Sequence, residues 1–322
     1  MNFFIFGYNA EVDFSVFLRF DTMLKGVSVD LSRAKGVLVD LTKCIGCGSC
    51  VVACKMYNNN KWIDNRKQKP APTAGEGAKL ADENWTVVQK CRIDKATGMN
   101  VIQIDGVSAP TRTDGSDVWR YVKKQCLHCK EPACVSSCFA TAFRQTEEGP
   151  VVYHPNLCVG CRYCMLACPF SIPKFEWDNP LPVLTKCTMC SARVKNGDPP
   201  ACVTVCPTDV MTFGDYNDML KEAKRILSTD SRYVQHIYGE EEAGGTLWIY
   251  ISDKPFESLG FKMNVPKRSI PSTTSGFMHA TPIVGAIWLG ILFCLYFITG
   301  RRSAMKKKEQ PQNPETKQET EA

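Results

Sequence analysis

The sequence predicts an α+β fold of tandem, pseudo-symmetric units, each a short strand followed by a cysteine-bearing loop and a helical turn. Three observations support this prediction. Sixteen of the 18 cysteines fall into four groups at metal-ligand spacing, which indicates cofactor binding rather than an oxidising compartment. A short apolar stretch of strand character precedes each group, at residues 36–40, 119–122, 151–153 and 183–184. Near the C-terminus, residues 277–299 carry no formal charge, which adds one transmembrane helix.

The third cysteine group contains the clearest motif. Residues 158–169 read Cys-Val-Gly-Cys-Arg-Tyr-Cys-Met-Leu-Ala-Cys-Pro, the C-x2-C-x2-C-x3-C-P run by which bacterial ferredoxins hold 4Fe-4S clusters. Three cysteines at this spacing wrap one loop around a cluster, and Gly160 lets the backbone approach the inorganic sulfides. In two-cluster ferredoxins the last cysteine of the run, here Cys168, ligates the other cluster, so each group needs a partner group.

The four groups share this plan with local differences. The second has four residues between its second and third members and ends in Cys138-Phe139, where proline is usual; the fourth has an eleven-residue insertion after its first pair. The predicted ligands are Cys44, Cys47, Cys50 and Cys54; Cys126, Cys129, Cys134 and Cys138; Cys158, Cys161, Cys164 and Cys168; and Cys187, Cys190, Cys202 and Cys206. Zinc is the alternative for any single C-x2-C pair, but four groups that end in a C-x3-C step predict four 4Fe-4S clusters.

Two further side chains near the ligands carry predictions of their own. His128 lies between two ligands, where it either hydrogen-bonds a cluster sulfur and tunes its potential or is an oriented imidazole at the surface. Cys91 has no partner at ligand spacing, so we expect a small buried apolar residue there.

The net charge of the loaded protein differs from that of the bare chain. The sequence has a formal charge of +6, which alone would suggest an anionic partner such as nucleic acid. Four thiolates around an oxidised 4Fe-4S core give about −2 for each cluster, and four clusters bring the total to about −2. The excess Lys and Arg therefore compensate buried clusters, and we expect no nucleic-acid partner.

Changes in composition, together with prolines and glycines, divide the chain into segments. In order they are an N-terminal arm (1–35), a four-cluster domain (36–214) with an insertion (58–117), a helix and a strand that complete the domain (215–252), a linker (253–276), the transmembrane helix (277–299) and a basic, then polar tail (300–322). We expect a hairpin at 85–104 that turns at 97–98, a helix at 216–227 capped by Asp215, and a strand at 246–251.

The apolar segment 277–299 would be roughly 35 Å long as a helix, enough to cross a bilayer. A buried core helix is the alternative, but five basic residues follow within 301–308. By the positive-inside rule they predict a cytoplasmic C-terminus and a periplasmic, outward-facing cluster domain. Ala286, Gly290 and Cys294 form a small-residue face suited to another transmembrane helix. Residues 1–22 lack a basic start, a clean apolar core and a twin-arginine pair, so they do not match an export signal; either the export route stays open or the protein is exported alongside a signal-bearing partner.

With these motifs the chain resembles the four-cluster iron-sulfur subunits of membrane-bound respiratory oxidoreductases, over roughly residues 36–300. The stretches Tyr-Val-Lys-Lys-Gln-Cys-Leu-His-Cys at 121–129 and Cys-Arg-Tyr-Cys-Met-Leu-Ala-Cys-Pro at 161–169 resemble the cluster subunit of quinone-linked periplasmic NiFe hydrogenases. Residues 187–206, with their eleven-residue gap, are closer to the beta subunit of membrane-bound formate dehydrogenases, and 238–250 resemble both.

The resemblance implies a non-catalytic subunit that passes single electrons between a catalytic subunit and an integral membrane quinone-reactive subunit. A self-standing polyferredoxin and a zinc-stabilised scaffold are the alternatives, and the membrane span argues against free shuttling. The resemblance also implies that the first group pairs with the fourth and the second with the third. The implied sets are Cys44, Cys47, Cys50 with Cys206; Cys187, Cys190, Cys202 with Cys54; Cys126, Cys129, Cys134 with Cys168; and Cys158, Cys161, Cys164 with Cys138.

Overall fold

The computed structural model describes residues 29–60, 74–75, 78–94, 117–177 and 183–309. The chain divides between Thr273 and Thr274 into two compact units. The strands are β1 (Lys35–Asp40), β2 (Ala74–Gly75), β3 (Val87–Asp94), β4 (Asp117–Lys124), β5 (Phe143–Gln145), β6 (Val151–Tyr153), β7 (Lys174–Phe175), β8 (Leu184–Thr185), β9 (Met211–Asp215) and β10 (Trp248–Ile251). The helices are α1 (Ser49–Asn58), α2 (Ala133–Ser136), α3 (Tyr163–Ala167), α4 (Ser191–Lys195), α5 (Ala201–Thr204), α6 (Tyr216–Thr229) and α7 (Ile270–Glu309).

The central sheet has the strand order β10-β1-β9, with β1 parallel to β10 and antiparallel to β9. Its middle strand reads Gly-Val-Leu-Val, a continuous apolar run typical of a strand covered on both faces. Val37 and Val39 belong to the core on the side of the cysteine loops, whereas Leu38 packs in the core with α6. The sheet therefore separates the helix layer from the cysteine loops.

A second sheet has the order β2-β3-β4. Strand β3 pairs antiparallel with β4 along its whole length, from Val87 opposite Lys124 to Asp94 opposite Asp117, and β2 occupies part of its other edge. The antiparallel partner of β3 is thus the strand that leads into the second cysteine group. The predicted turn at 97–98 and the residues after it lie outside the described residues, as do most of the predicted arm (1–28), part of the insertion and the end of the tail.

Two short antiparallel ribbons, β5-β6 and β7-β8, complete the strands among the described residues. They surround a small core of Phe143, Val151, Phe175 and Leu184, into which Cys164 of the third group also packs. This core is separate from the two that flank the central sheet.

Helix α6 extends two residues beyond the predicted end. Asp215 is the N-cap, but its carboxylate caps no backbone N–H of the helix; it accepts instead from Lys35 Nζ at 2.6 Å. The strand predicted at 246–251 is shorter, since β10 begins at Trp248.

The segment predicted as a linker, residues 253–276, is in part core. Phe256 and Leu259 form a buried 3-10 turn, and the Phe256 ring packs 5.4 Å from that of Tyr238. Prolines and hydroxyl residues predicted a linker here, but the segment also contributes apolar side chains to the core. Helix α7 begins at Ile270. Among the described residues it is the one helix long and apolar enough to cross a membrane, and the apolar segment is Ile283–Arg302.

Candidate iron-sulfur centres

The four C-x2-C loops share one backbone turn. The residue before the second cysteine has a left-handed conformation in every loop: φ is 74° at Gly46, 50° at His128, 71° at Gly160 and 54° at Met189. This conformation is free of strain for glycine and costs other residues roughly 1–2 kcal/mol. Consecutive N–H groups in such a turn point toward one concavity, a geometry suited to an anionic group. From the sequence, this turn could be predicted only for the two loops in which glycine stands before the second cysteine, at Gly46 and Gly160.

A second turn recurs three residues after the last cysteine of the second, third and fourth groups. Thr141, Ser171 and Asp209 have φ values of 51°, 54° and 48°. None of them is glycine, so no residue type in the sequence marks this geometry.

Chamber 1 is the hollow enclosed by three cysteines of the first group and the last cysteine of the fourth. It is lined by Cys44, Cys47, Cys50 and Cys206, with Lys123 and apolar side chains between them. Burial raises the pKa of Cys50 to about 11, whereas the Ser49 hydroxyl, 3.4 Å from the exposed Cys47 Sγ, lowers the pKa of Cys47.

Chamber 2 is the equivalent hollow between the second and third groups. It is lined by Cys138, Cys158, Cys161 and Cys164, together with apolar side chains that include Phe143 and Phe175. Backbone N–H groups already point at its sulfur atoms: Ala142 N–H donates to Cys138 Sγ at 3.3 Å, and Gly160 N–H to Cys158 Sγ at 3.4 Å. Burial, followed by the neighbouring Cys138 thiol, raises the pKa of Cys164 to about 12. Cys161 is exposed at the edge.

The other eight cysteines form two more sets, of which the set with Cys54 is buried throughout. Burial raises the pKa of Cys54 to about 12, and nearby Cys202 and Cys190 raise it further. Cys187 is fully enclosed, and after burial its strongest perturbing neighbour is Cys54. All four of these thiols are buried. The structure thus brings the last cysteine of the first group to the first three of the fourth.

The remaining set combines Cys168 with three cysteines of the second group. Burial raises the pKa of Cys129 well above its usual range, and Cys168, Cys126 and Cys134 act on it next. Cys134 experiences the charges of Cys126 and Cys168 in turn.

The cysteines fit a cluster better than a single ion. Among the described residues, which include all sixteen predicted ligands, no three His, Cys, Asp or Glu side chains converge closely enough to hold one metal ion. The two chambers instead have four thiols spread around a hollow with apolar walls. Buried thiols with raised pKa values stay protonated on their own, but iron deprotonates a coordinating thiol outright.

His128 is completely buried, so the expectation of a surface imidazole is wrong. Its Nδ1 accepts the Val151 backbone N–H at 2.9 Å, which places the proton of the neutral ring on Nε2. Burial and the charges of Lys186 and Lys123 lower its pKa well below the ordinary value. Within the described residues Nε2 has no hydrogen-bond partner, leaving a buried donor between two cysteines of the second group.

Cys91, on β3, is a small buried residue, and its Sγ lies 3.7 Å from the Leu259 carbonyl oxygen. Its predicted role as a small buried residue is confirmed.

Sequence reasoning missed two buried lysines beside the cysteines, Lys123 on β4 and Lys186 just before the fourth group. Lys186 Nζ donates to the carbonyl oxygens of Val151 and Cys187. The sequence signal for the burial of Lys123 was the alternation of side chains along β4, which turns Lys123 and Lys124 to opposite faces of the sheet.

The loops and chambers define a multi-cluster iron-sulfur protein of ferredoxin type, and comparison with known proteins agrees. Two family models described as 4Fe-4S dicluster domains match residues 43–142 and 117–216. The hydrogenase-2 operon protein HybA of Escherichia coli O157:H7 is 33% identical over 292 residues, 82% of this chain and 82% of the relative.

Two further relatives extend the match. The iron-sulfur subunit of the nitrate-inducible formate dehydrogenase of Escherichia coli K12 is 32% identical over 225 residues, 68% of this chain and 69% of the relative. A protein of Nitratidesulfovibrio vulgaris is 39% identical over 280 residues, 85% of this chain and 69% of the relative. The chain belongs to the family of 4Fe-4S dicluster iron-sulfur subunits that includes these hydrogenase and formate dehydrogenase proteins, and it binds 4Fe-4S clusters.

Proposed function

We propose that the protein is a membrane-anchored electron-transfer subunit with four 4Fe-4S clusters. It passes single electrons between a catalytic subunit, of NiFe hydrogenase or molybdenum/tungsten formate dehydrogenase type, and a quinone-reactive membrane subunit. The observation that carries the proposal is the grouping of the sixteen cysteines: the set with Cys54 is buried throughout, whereas chambers 1 and 2 each have one exposed cysteine, Cys47 and Cys161. Sets that reach the surface can exchange electrons with a partner, and a buried set can relay electrons between them.

The proposed ligand sets follow the cysteines that lie together. They are Cys44, Cys47, Cys50 and Cys206; Cys54, Cys187, Cys190 and Cys202; Cys126, Cys129, Cys134 and Cys168; and Cys138, Cys158, Cys161 and Cys164. Bound clusters supply one-electron oxidation and reduction without proton transfer. The residues of this chain hold them by thiolates, donate N–H groups to the sulfur atoms and exclude water.

Exposed apolar side chains surround both open chambers, as expected for partner-facing surfaces. Ile45 and Met56 lie exposed beside chamber 1, on the loop and helix of the first group. Near chamber 2, Val159 and Leu166 are exposed, and Arg162 stacks over the Trp177 ring at 4.2 Å. We propose that chamber 1 faces the catalytic subunit and that chamber 2 is the exit toward the membrane.

The membrane part of the proposal depends on α7. Its segment Ile283–Arg302 has a mean hydropathy of 2.2, and basic residues follow it in the sequence. We propose a single span in the cytoplasmic membrane with a cytoplasmic C-terminus and a periplasmic cluster domain. The small-residue face of the span suits an integral membrane partner.

The test uses the complex purified from membranes. Once this chain has been separated from its partners, iron and acid-labile sulfide analysis should give sixteen of each, four for each proposed set. A Cys161→Ser variant should convert or destabilise the chamber 2 cluster and reduce quinone reduction, whereas the catalytic substrate still reduces the chamber 1 cluster. Cys91→Ser, outside every set, is the matched control.

Two results would contradict the proposal. About eight irons in the wild-type chain, separated from its partners, would exclude four clusters. A Cys161→Ser complex in which the catalytic substrate no longer reduces the chamber 1 cluster would show that electrons enter at chamber 2.

A further inference from the structure

Lys123 is a buried cation at the wall of chamber 1. It lies on β4, its exposed fraction is 2%, and it lines the chamber together with Cys44 and Cys50. Its Nζ donates to Gln125 Oε1 at 2.9 Å and lies 4.3 Å from the centre of the Trp248 ring. These neighbours fix the ammonium but leave its charge uncompensated.

A buried ammonium without an anionic partner costs several kcal/mol. No Asp or Glu among the described residues forms an ion pair with Lys123. The two buried carboxylates of the described residues bind elsewhere: Asp40 accepts from Thr42 and Tyr233, and Glu242 contacts His236 and Gly239. The anionic groups that face Lys123 are therefore the cysteines.

Those cysteines belong to two different ligand sets. The core cluster that contains Trp248, over whose ring the ammonium lies, also contains Cys202, and Cys44, Cys50 and Cys206 pack against the same cluster. Cys44 and Cys50 belong to chamber 1, whereas Cys202 belongs to the buried set with Cys54. One ammonium is thus shared between two adjacent sets.

We propose that the Lys123 ammonium is a fixed positive charge between the cluster of chamber 1 and the cluster of the Cys187 set, and that it raises the reduction potentials of both. Each reduction adds one electron to an already anionic cluster, and a nearby cation stabilises the reduced form. Lys123 is therefore a positioning residue for electron transfer. The inference rests on the proposed function, since it assumes clusters in these two sets.

The test compares three variants of the full chain in its purified complex. Lys123→Met removes the charge at similar length, Lys123→Gln removes the charge and keeps a polar end, and Lys123→Arg keeps the charge. Midpoint potentials are read from redox titrations followed by electron paramagnetic resonance. Cys47→Ser and Cys190→Ser variants assign the signals of the two clusters.

We expect both neutral variants to shift the oxidised-to-reduced ratio of these two clusters at least tenfold toward the oxidised form at fixed potential. That change corresponds to a midpoint lowered by about 59 mV for a one-electron couple. The other two clusters should move less, and Lys123→Arg should keep wild-type ratios. Lys124→Met is the matched control, because the neighbouring Lys124 donates its Nζ to the Gly260 carbonyl oxygen and does not line chamber 1.

Unchanged ratios in a cluster-loaded Lys123→Met complex would overturn the inference, and so would equal shifts in Lys124→Met. If both neutral variants lose these two clusters, retention by Lys123→Arg supports a requirement for charge, whereas loss from Lys123→Arg as well shows a packing role and overturns it. Fewer than four clusters in the wild-type complex would count against the proposed function, not against the role of Lys123.

Discussion

Gly46 and Gly160 offer a matched pair for measuring how tightly one cysteine loop is packed. Both precede the second cysteine of their loops, and their φ values, 74° and 71°, are nearly equal. Their surroundings differ. A Cβ at Gly46 would lie 2.4 Å from Tyr121 Cδ1 and 2.7 Å from Cγ, whereas nothing lies within 4 Å of a Cβ at Gly160.

The expected magnitudes follow from this comparison. Alanine in the left-handed region costs each loop roughly 1–2 kcal/mol. Only Gly46→Ala must also displace the base of the Tyr121 ring, an overpacking cost of about 1–3 kcal/mol. We therefore expect Gly46→Ala to lower the free energy of unfolding by about 2–5 kcal/mol and Gly160→Ala by about 1–2 kcal/mol.

The assay is a guanidinium titration of the purified complex, followed by the loss of cluster absorbance. Tyr121→Leu, combined with Gly46→Ala, tests the cause, since a smaller side chain should recover the part of the loss that is due to the clash. Equal losses for the two glycine variants, or no recovery in the double variant, would refute the reasoning.

Three further predictions concern the ligands, the packing and the topology. Cys206→Ser should remove iron from one cluster, whereas Cys91→Ser, which is buried but belongs to no set, should leave the iron content unchanged; equal iron losses would reject the proposed chamber 1 ligands. Arg120→Met should lower the free energy of unfolding in denaturant by about 1.5–3 kcal/mol, because it leaves Asp253 without its two hydrogen bonds from Arg120. The side chains of Arg120 and Asp253 are only 28% and 18% exposed. Arg33→Met, from an exposed pair, should cost less than about 1 kcal/mol, and similar costs would contradict the argument. A protease added to cells with a permeabilised outer membrane should cleave the cluster domain and spare the C-terminal tail, and the reverse pattern would invert the proposed orientation.

The sequence predicted the features that depend on local pattern. Strand β1 was foreseen because its apolar run is continuous, and α6 because its apolar residues recur at helical spacing. Cysteine spacing predicted the cluster type for a similar reason, since each loop must wrap one cluster.

Features that depend on distant parts of the chain were not predictable in this way. The burial of His128 depends on Val151, whose N–H approaches from 23 residues further along the chain. The pairing of β3 with β4 joins two strands across a long intervening segment, so no local turn signal marks it. Composition cannot show that Phe256 reaches the core, because its anchoring contact with Tyr238 is not local.

The order of strands in the central sheet has a consequence for biosynthesis. Strand β1 ends at Asp40, but its neighbours β9 and β10 end at Asp215 and Ile251. A ribosome needs roughly 10–40 s to add the intervening residues at 5–20 residues per second. Until β9 has been made, both edges of β1 lack their partners, and the first cysteine loop lacks Cys206, its proposed fourth ligand, for most of that time. Insertion of its cluster must therefore wait until most of the chain has emerged, and a nascent chain stalled before Ile251 would expose an unpaired apolar strand beside reactive thiols.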